Sequence, residues 1–187
     1  IESAFNQDYN GPLCICVIDD GSTDKSLEIL QIEVTGFSNM KIIQLKRNYG
    51  QTAAISSGID NATGDILVIM DADLQNDPSD IPKLIKKLDD GYDVVSGWRE
   101  KRKDRYFTRI LPSKIANWII SKISGVTLHD YGCTLKAYKK ATLKNVKLYG
   151  EMHRFIPIYV AWQGGKVTEI PIRHHARKFG KSKYGLM

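Results

Sequence analysis

One run constrains this chain more than any other. Ile66-Leu67-Val68-Ile69-Met70 stops abruptly at Asp71-Ala72-Asp73-Leu74-Gln75. An apolar stretch rich in β-branched residues and without polar alternation predicts a strand covered on both faces. Such strands belong to open α/β sheets, where ligands lie in the crevice beyond the carboxyl ends. If the backbone stays extended, the i, i+2, i+4 spacing puts Asp71, Asp73 and Gln75 on one side. Hard oxygen ligands grouped in this way suit Mg²⁺ or Mn²⁺, with positions left for a phosphate. The same carboxylates can instead cap the following helix, and an Asp-x-Asp tripeptide by itself does not decide between the two.

The flanking segments repeat the theme. Residues 13–18 form an apolar run that ends in Asp19-Asp20-Gly21-Ser22-Thr23-Asp24, a small-residue turn with helix-capping side chains. A helix over about residues 25–34 follows, with Leu27, Ile29, Leu30 and Val34 on its apolar side. Residues 41–45 predict a third strand, Asn48-Tyr49-Gly50 a turn, and residues 51–61 a helix small enough in its side chains to lie close to a sheet. Asn76-Asp77-Pro78 leads into a helix over residues 79–89, and residues 92–97 read as a strand ending at Trp98-Arg99. Strand and helix in alternation predict a right-handed parallel α/β sheet. In such a sheet Asp19 and Asp20 share the crevice of Asp71, where carboxylates accept hydrogen bonds from a base or ribose.

Beyond residue 98 the character changes. Arg99, Lys101, Arg102, Lys103, Arg105 and Arg109 crowd ahead of an amphipathic stretch carrying Trp118. That is the composition of a helix lying in a membrane interface, and equally of a surface helix whose apolar stripe faces the core. Pro112 predicts two short helices there rather than one. Residues 134–138 and 166–172 read as strands, with a helix from about residue 150 to 162 between them. The tail from His174 to Gly185 is basic and punctuated by glycine, suited to closing over a diphosphate, to disorder or to a nucleic-acid patch.

With 187 residues the chain has room for one domain with a sizeable core. A net charge of +6 points to an anionic partner. Basic residues beside a carboxylate crevice, without aromatic platforms, argue against nucleic acid. Cys14, Cys16 and Cys133 form no disulfide or zinc pattern, and the first two are expected to be buried and inert on their strand. No apolar run reaches the roughly 18 residues of a membrane span.

Taken in order, Asp19-Asp20-Gly21-Ser22-Thr23-Asp24, Asn48-Tyr49-Gly50, Gly64-Asp65 and Asp71-Ala72-Asp73-Leu74-Gln75 resemble family 2 glycosyltransferases of the GT-A fold. Gly97-Trp98-Arg99, Asp130-Tyr131-Gly132-Cys133, Gly150-Glu151-Met152-His153-Arg154 and Arg177-x-x-Gly180-x-Ser182-Lys183-Tyr184 look like its polyprenyl-phosphate branch. That branch holds dolichyl-phosphate mannosyltransferases and bacterial undecaprenyl-phosphate glycosyltransferases. The resemblance covers nearly the whole chain and implies one catalytic domain over residues 1–187, without the family's usual first strand or any C-terminal transmembrane region.

What the resemblance implies, position by position, is a nucleotide-sugar site and a phosphate-bearing acceptor. Asp19 and Asp20 would hold base and ribose, and Asp71 would face the ribose and the metal. Asp73 and Gln75 would bind Mg²⁺ or Mn²⁺, and Arg177 and Lys183 would close over the diphosphate. Arg99 and Arg109 would grip the acceptor phosphate, and Asp130 would sit by the sugar and the attacking oxygen. The implied reaction is inverting transfer of a hexose from a donor of the GDP-mannose or UDP-glucose class to a polyprenyl phosphate. The implied location is the cytoplasmic face of a membrane, with the domain peripheral or anchored by segments outside this chain. The alternative is a family 2 enzyme acting on a sugar hydroxyl, with Asp130 as base.

Overall fold

The computed structural model of the protein describes residues 2–100, 111–144 and 146–176. A short helix α1 (Glu2–Phe5) leads to strand β1 (Ile15–Asp19), helix α2 (Ser26–Val34), strand β2 (Met40–Gln44) and helix α3 (Gln51–Asn61). Then come β3 (Ile66–Ile69), α4 (Ile81–Asp89), β4 (Val94–Trp98), α5 (Leu111–Ser124), β5 (Lys136–Lys139), α6 (Ile156–Trp162) and β6 (Val167–Pro171). Single 3-10 turns occupy Pro78–Asp80, Lys140–Leu143 and Met152–Phe155. The helices expected over 79–89 and 150–162 thus each begin with one tight turn.

The sheet is not uniformly parallel. β1 and β2 pair parallel, with Ile15 opposite Met40. The other four strands run in the order β3-β5-β4-β6. β4 and β6 are parallel, while β5 is antiparallel to both of its neighbours, β3 and β4. Alternation of strand and helix concealed this, because β5 follows a helix and a long turn as any parallel strand would. Reversal has a direct consequence for function. β3 and β4 deliver their exits to the carboxyl edge, and β5 delivers its approach, residues 130–134, to that same edge.

Helices cover both faces of the four-stranded sheet. Leu84 and Leu88 of α4 pack with Val95, Leu135 and Ala137, and Ile66 and Val68 of β3 join them. On the opposite face Ile156 and Val160 of α6 pack with Val94 and Tyr138, joined by Leu67 of β3 and by Ile55 and Ile59 of α3. Successive β3 side chains therefore serve two cores in turn, which is why that run needs no polar alternation. Truncating Leu84, wholly buried, would cost about 2–5 kcal/mol.

Two local expectations give way. β1 is only half-buried, with Cys14 exposed and Cys16 intermediate, because it belongs to the two-stranded sheet rather than the covered one. Ile29 of α2 is exposed rather than packed, and α2 has no buried residue at all. Leu111–Ser124 is a helix with Pro112 in its first turn, where the missing amide hydrogen is not needed, and whether a second short helix precedes it falls on residues outside the description. Residues 101–110 lie outside the description.

Candidate functional site

The chain leaving β3 turns rather than continuing extended. Leu74 adopts φ +62°, and the Asp73 carboxylate accepts the Gln75 amide at 3.1 Å. The side-by-side row expected of Asp71, Asp73 and Gln75 is therefore replaced by a turn that holds them in sequence around its bend. Asp71 is fixed first. Its two oxygens accept from Gln51 Nε2 at 2.8 Å and Thr134 Oγ1 at 2.9 Å. Burial pushes its carboxyl above the usual range and the nearby Asp73 charge adds to that, while the Thr134 and Gln51 hydrogen bonds oppose. Oxygen donors that repel one another in this way fit a divalent cation, which relieves the repulsion and is hard enough to prefer carboxylate and amide oxygen. Among the described residues no group of three or more His, Cys, Asp or Glu comes together to hold a metal ion.

The residues expected to hold the nucleoside stand at the end of β1. Asp19 is buried and accepts the Ser22 amide. Asp20 accepts the amides of Tyr49 at 2.8 Å and Gly50 at 2.9 Å, which ties the β1 exit to the N-terminus of α3. Gly21 lies between them at φ +72°, where a Cβ would stand 2.4 Å from the Arg47 carbonyl carbon, so the turn admits only glycine. Arg47 stacks over the exposed Tyr49 ring.

Across the edge, Arg99 and Asp130 meet. Nε of Arg99 donates to one carboxylate oxygen at 2.6 Å and Nη2 to the other at 2.9 Å. Asp130 is buried and the pair is fork-on-fork, the strongest geometry a guanidinium offers a carboxylate. Trp98 stacks on His129 at 4.4 Å, and His129 in turn binds Glu169. The same short turn reaches the donor side. Thr134 binds Asp71, and Asn76, next after Gln75, donates to Thr134 at 3.1 Å. A Cβ on Gly132 would lie 3.3 Å from Arg99 Nη2. Asp71, Asp73, Gln75, Arg99 and Asp130 thus belong to one edge.

The exit of β6 closes that edge. His174 bridges Asn76, His175 donates its amide to the Gln75 carbonyl at 2.8 Å, and the His175 ring reaches Asp77 at 3.2 Å. The paired histidines therefore serve as a strap. Arg109, Arg177 and Lys183, expected to bind phosphates, lie outside the described residues.

Sequence reasoning missed four side chains of this site: Gln51, Thr134, Lys136 and His153. The Nδ1 of His153 lies 2.6 Å from Thr52 Oγ1, so that ring anchors the start of α3. The signals on offer were positional: Gln51 directly follows Asn48-Tyr49-Gly50, Thr134 directly follows Asp130-Tyr131-Gly132-Cys133, and His153 lies within Gly150-Glu151-Met152-His153-Arg154.

Residues 1–149 match the family described as Glycosyl transferase family 2. The chain belongs to that family. Over 177 residues it is 48% identical to a dodecaprenyl-phosphate galacturonate synthase from Rhizobium johnstonii, covering 92% of this chain and 52% of that protein. Over 174 residues it is 41% identical to an undecaprenyl-phosphate 4-deoxy-4-formamido-L-arabinose transferase from Edwardsiella ictaluri, covering 92% and 53%. The chain thus spans about half the length of these curated relatives. Among solved structures it resembles the mannosyltransferase PcManGT of Pyrobaculum calidifontis in complex with GDP-Man and Mn²⁺, with TM-score 0.66, 21% identity and coverage of 91% and 49%. It also resembles glucosyl-3-phosphoglycerate synthase of Mycobacterium tuberculosis in complex with Mn²⁺ and UDP-glucose, with TM-score 0.61, 16% identity and coverage of 87% and 60%. At these identities the structural likeness establishes the GT-A fold, as the motifs implied.

Proposed function

We propose that this family 2 domain transfers a glycosyl group, with inversion, from a nucleoside diphosphate sugar to a polyprenyl phosphate at a membrane surface. What supports this reading best is the turn at residues 130–134, which binds Asp71 at one end and Arg99 at the other. It brings the candidate donor and acceptor halves into contact through a single segment. The names of the relatives supply the acceptor class.

In the proposed reaction an oxygen of the lipid phosphate bonds to the anomeric carbon as the bond to the diphosphate breaks. The nucleoside diphosphate leaves with its electron pair. The attacking oxygen is already an anion near neutral pH, so the residues must mainly position two polyanions and offset their repulsion. Arg99, held in orientation by Asp130, and Arg109 are assigned to the acceptor phosphate, and Arg177 and Lys183 to the diphosphate. The strap at His175 begins two residues before Arg177, which fits that assignment. Asp19 and Asp20 serve base and ribose, and Asp20 also fixes the Tyr49–Gly50 amides. Mg²⁺ or Mn²⁺ held by Asp71, Asp73 and Gln75 would act as a Lewis acid on the departing diphosphate. A sugar hydroxyl acceptor would ask Asp130 to take a proton while both its oxygens engage Arg99, so an acceptor ionised beforehand suits the geometry better.

The membrane assignment rests on α5. Ile115, Trp118, Ile119 and Ile123 share one exposed face, with Ile123 81% and Trp118 63% accessible. The opposite face holds Asn117, which binds the His129 carbonyl, and Ile120, which packs inward. An outward stripe supports the membrane-interface reading of that stretch. Among the described residues no helix is long and apolar enough to cross a membrane.

Thermal unfolding against a panel of nucleotide sugars, with and without Mn²⁺, tests the donor half. A true donor at a hundred times its dissociation constant should stabilise by about 2.7 kcal/mol, only with the ion present. Asp73→Ala should abolish that gain and transfer together. Metal-dependent stabilisation surviving in Asp73→Ala would remove the ion from this site.

A further inference from the structure

Lys136 has no part in the chemistry above, yet it occupies the centre of the site. It lies on β5 opposite Ile69 of β3 and Ser96 of β4, two residues before Asp71 and three before Arg99 respectively. It is only 3% exposed, among Leu135, Ala137 and Tyr138, where an apolar side chain would ordinarily stand. Among the described residues its ammonium forms no ion pair. It donates to the carbonyl of Tyr131 at 3.1 Å and to that of Cys133. Both carbonyls belong to the turn that carries Asp130 to Arg99 and Thr134 to Asp71. Burial, helped by the Arg99 charge, pushes the pKa of Lys136 below the usual lysine value, against the charges of Cys133, Asp130 and Asp71. A buried ammonium kept at such a disadvantage has work that a methyl group would not do.

We infer that Lys136 is a positioning residue: its ammonium folds residues 130–134 into the turn that grips Arg99 at one end and Asp71 at the other. The inference rests on the reading that these two ends serve one transfer site. It deepens that reading by making the shape of both halves depend on a single side chain that touches neither substrate.

The test uses the full-length protein in membranes, labelled with 5-fluorotryptophan. Trp98 stacks on His129, the neighbour of Asp130, so its fluorine signal, assigned through Trp98→Phe, reports the turn without any substrate. Lys136→Met should displace the Trp98 signal while leaving those of the exposed Trp118 and Trp162 in place. It should also raise the KM for undecaprenyl phosphate at least tenfold, with the donor identified in the thermal panel. A merely structural role would lower the active fraction, and so kcat, without moving that KM. Lys136→Arg, which retains a buried cationic donor, should restore the signal and bring the KM within threefold of wild type. If Lys136→Met does not fold, Lys136→Arg decides alone, and a folded Lys136→Arg with a displaced signal or a tenfold higher KM overturns the inference. So does Lys136→Met with an unmoved signal and KM. Because the fluorine signal needs no donor or acceptor, failure here is distinguishable from failure of the transferase reading, which Asp73→Ala tests.

Discussion

Acid should loosen this domain through His153. The ring is buried and bound to Thr52 at the head of α3. Burial, and then the neighbouring Arg154 charge, push its pKa from 6.5 down to about 4, against the pull of Glu151. The unfolded chain therefore accepts a proton near pH 6.5 that the folded protein refuses until about pH 4. The stabilisation is complete above the unfolded value and drains away as pH falls through this window. At about 1.4 kcal/mol per pH unit the whole contribution is about 3 kcal/mol, and about 2 kcal/mol of it is gone by pH 5. Urea unfolding of wild type and His153→Gln at pH 7, 6 and 5 measures it. Glutamine cannot titrate, so wild type should lose about 2 kcal/mol of stability relative to the variant across that range. Carboxylates common to both proteins cancel in the difference. A gap that stays constant with pH would falsify the assignment.

Asp80 gives a second, more acidic transition. Burial raises its carboxyl, but hydrogen bonds from Lys83 and Arg173 outweigh that and hold it below the usual range, so its contribution is present above about pH 4 and lost below. Asp80→Ala should cost about 2–3 kcal/mol at pH 7 by denaturant titration, because the β6 exit loses its pin. Arg99→Ala in the full-length enzyme should weaken the use of lipid phosphate at least tenfold while Mn²⁺-dependent nucleotide binding stays within twofold; loss of nucleotide binding alone would reverse the acceptor assignment. Trp118→Ser with Ile123→Glu should reduce flotation of the domain with anionic vesicles and leave its denaturation midpoint nearly unchanged, since both side chains are exposed. Equal flotation of variant and parent would detach α5 from the lipid.

Much of the frame was legible because it rests on local chemistry. α3 begins and ends where its turn signals put it, at Gln51 and Asn61, and β3 proved covered on both faces as its composition required. The carboxylates gathered at one edge because strand exits converge there whatever the detail. What stayed hidden depends on partners distant in sequence. The direction of β5 is decided by its fit between β3 and β4, which no periodicity within residues 134–138 encodes. Lys136 reads as a polar residue in a strand, and its burial follows only once the Tyr131 and Cys133 carbonyls turn inward. The bend at Leu74 overrode an inference from spacing alone, since alternation holds only while the backbone remains extended. Which way the α5 stripe faces was a matter of tertiary packing, and Asn117 settled it by reaching the His129 carbonyl.

The reversed strand also governs when the protein can exist at all. During synthesis β3 and β4 emerge well before the segment that must slot between them, and until then each presents an open edge to any passing strand. A nascent chain halted short of residue 130 owns the acidic bend and the guanidinium but has nothing to join them. The edge carrying Asp71 and Arg99 is therefore assembled only after β5 slots in, and chains stalled before it should aggregate rather than fold.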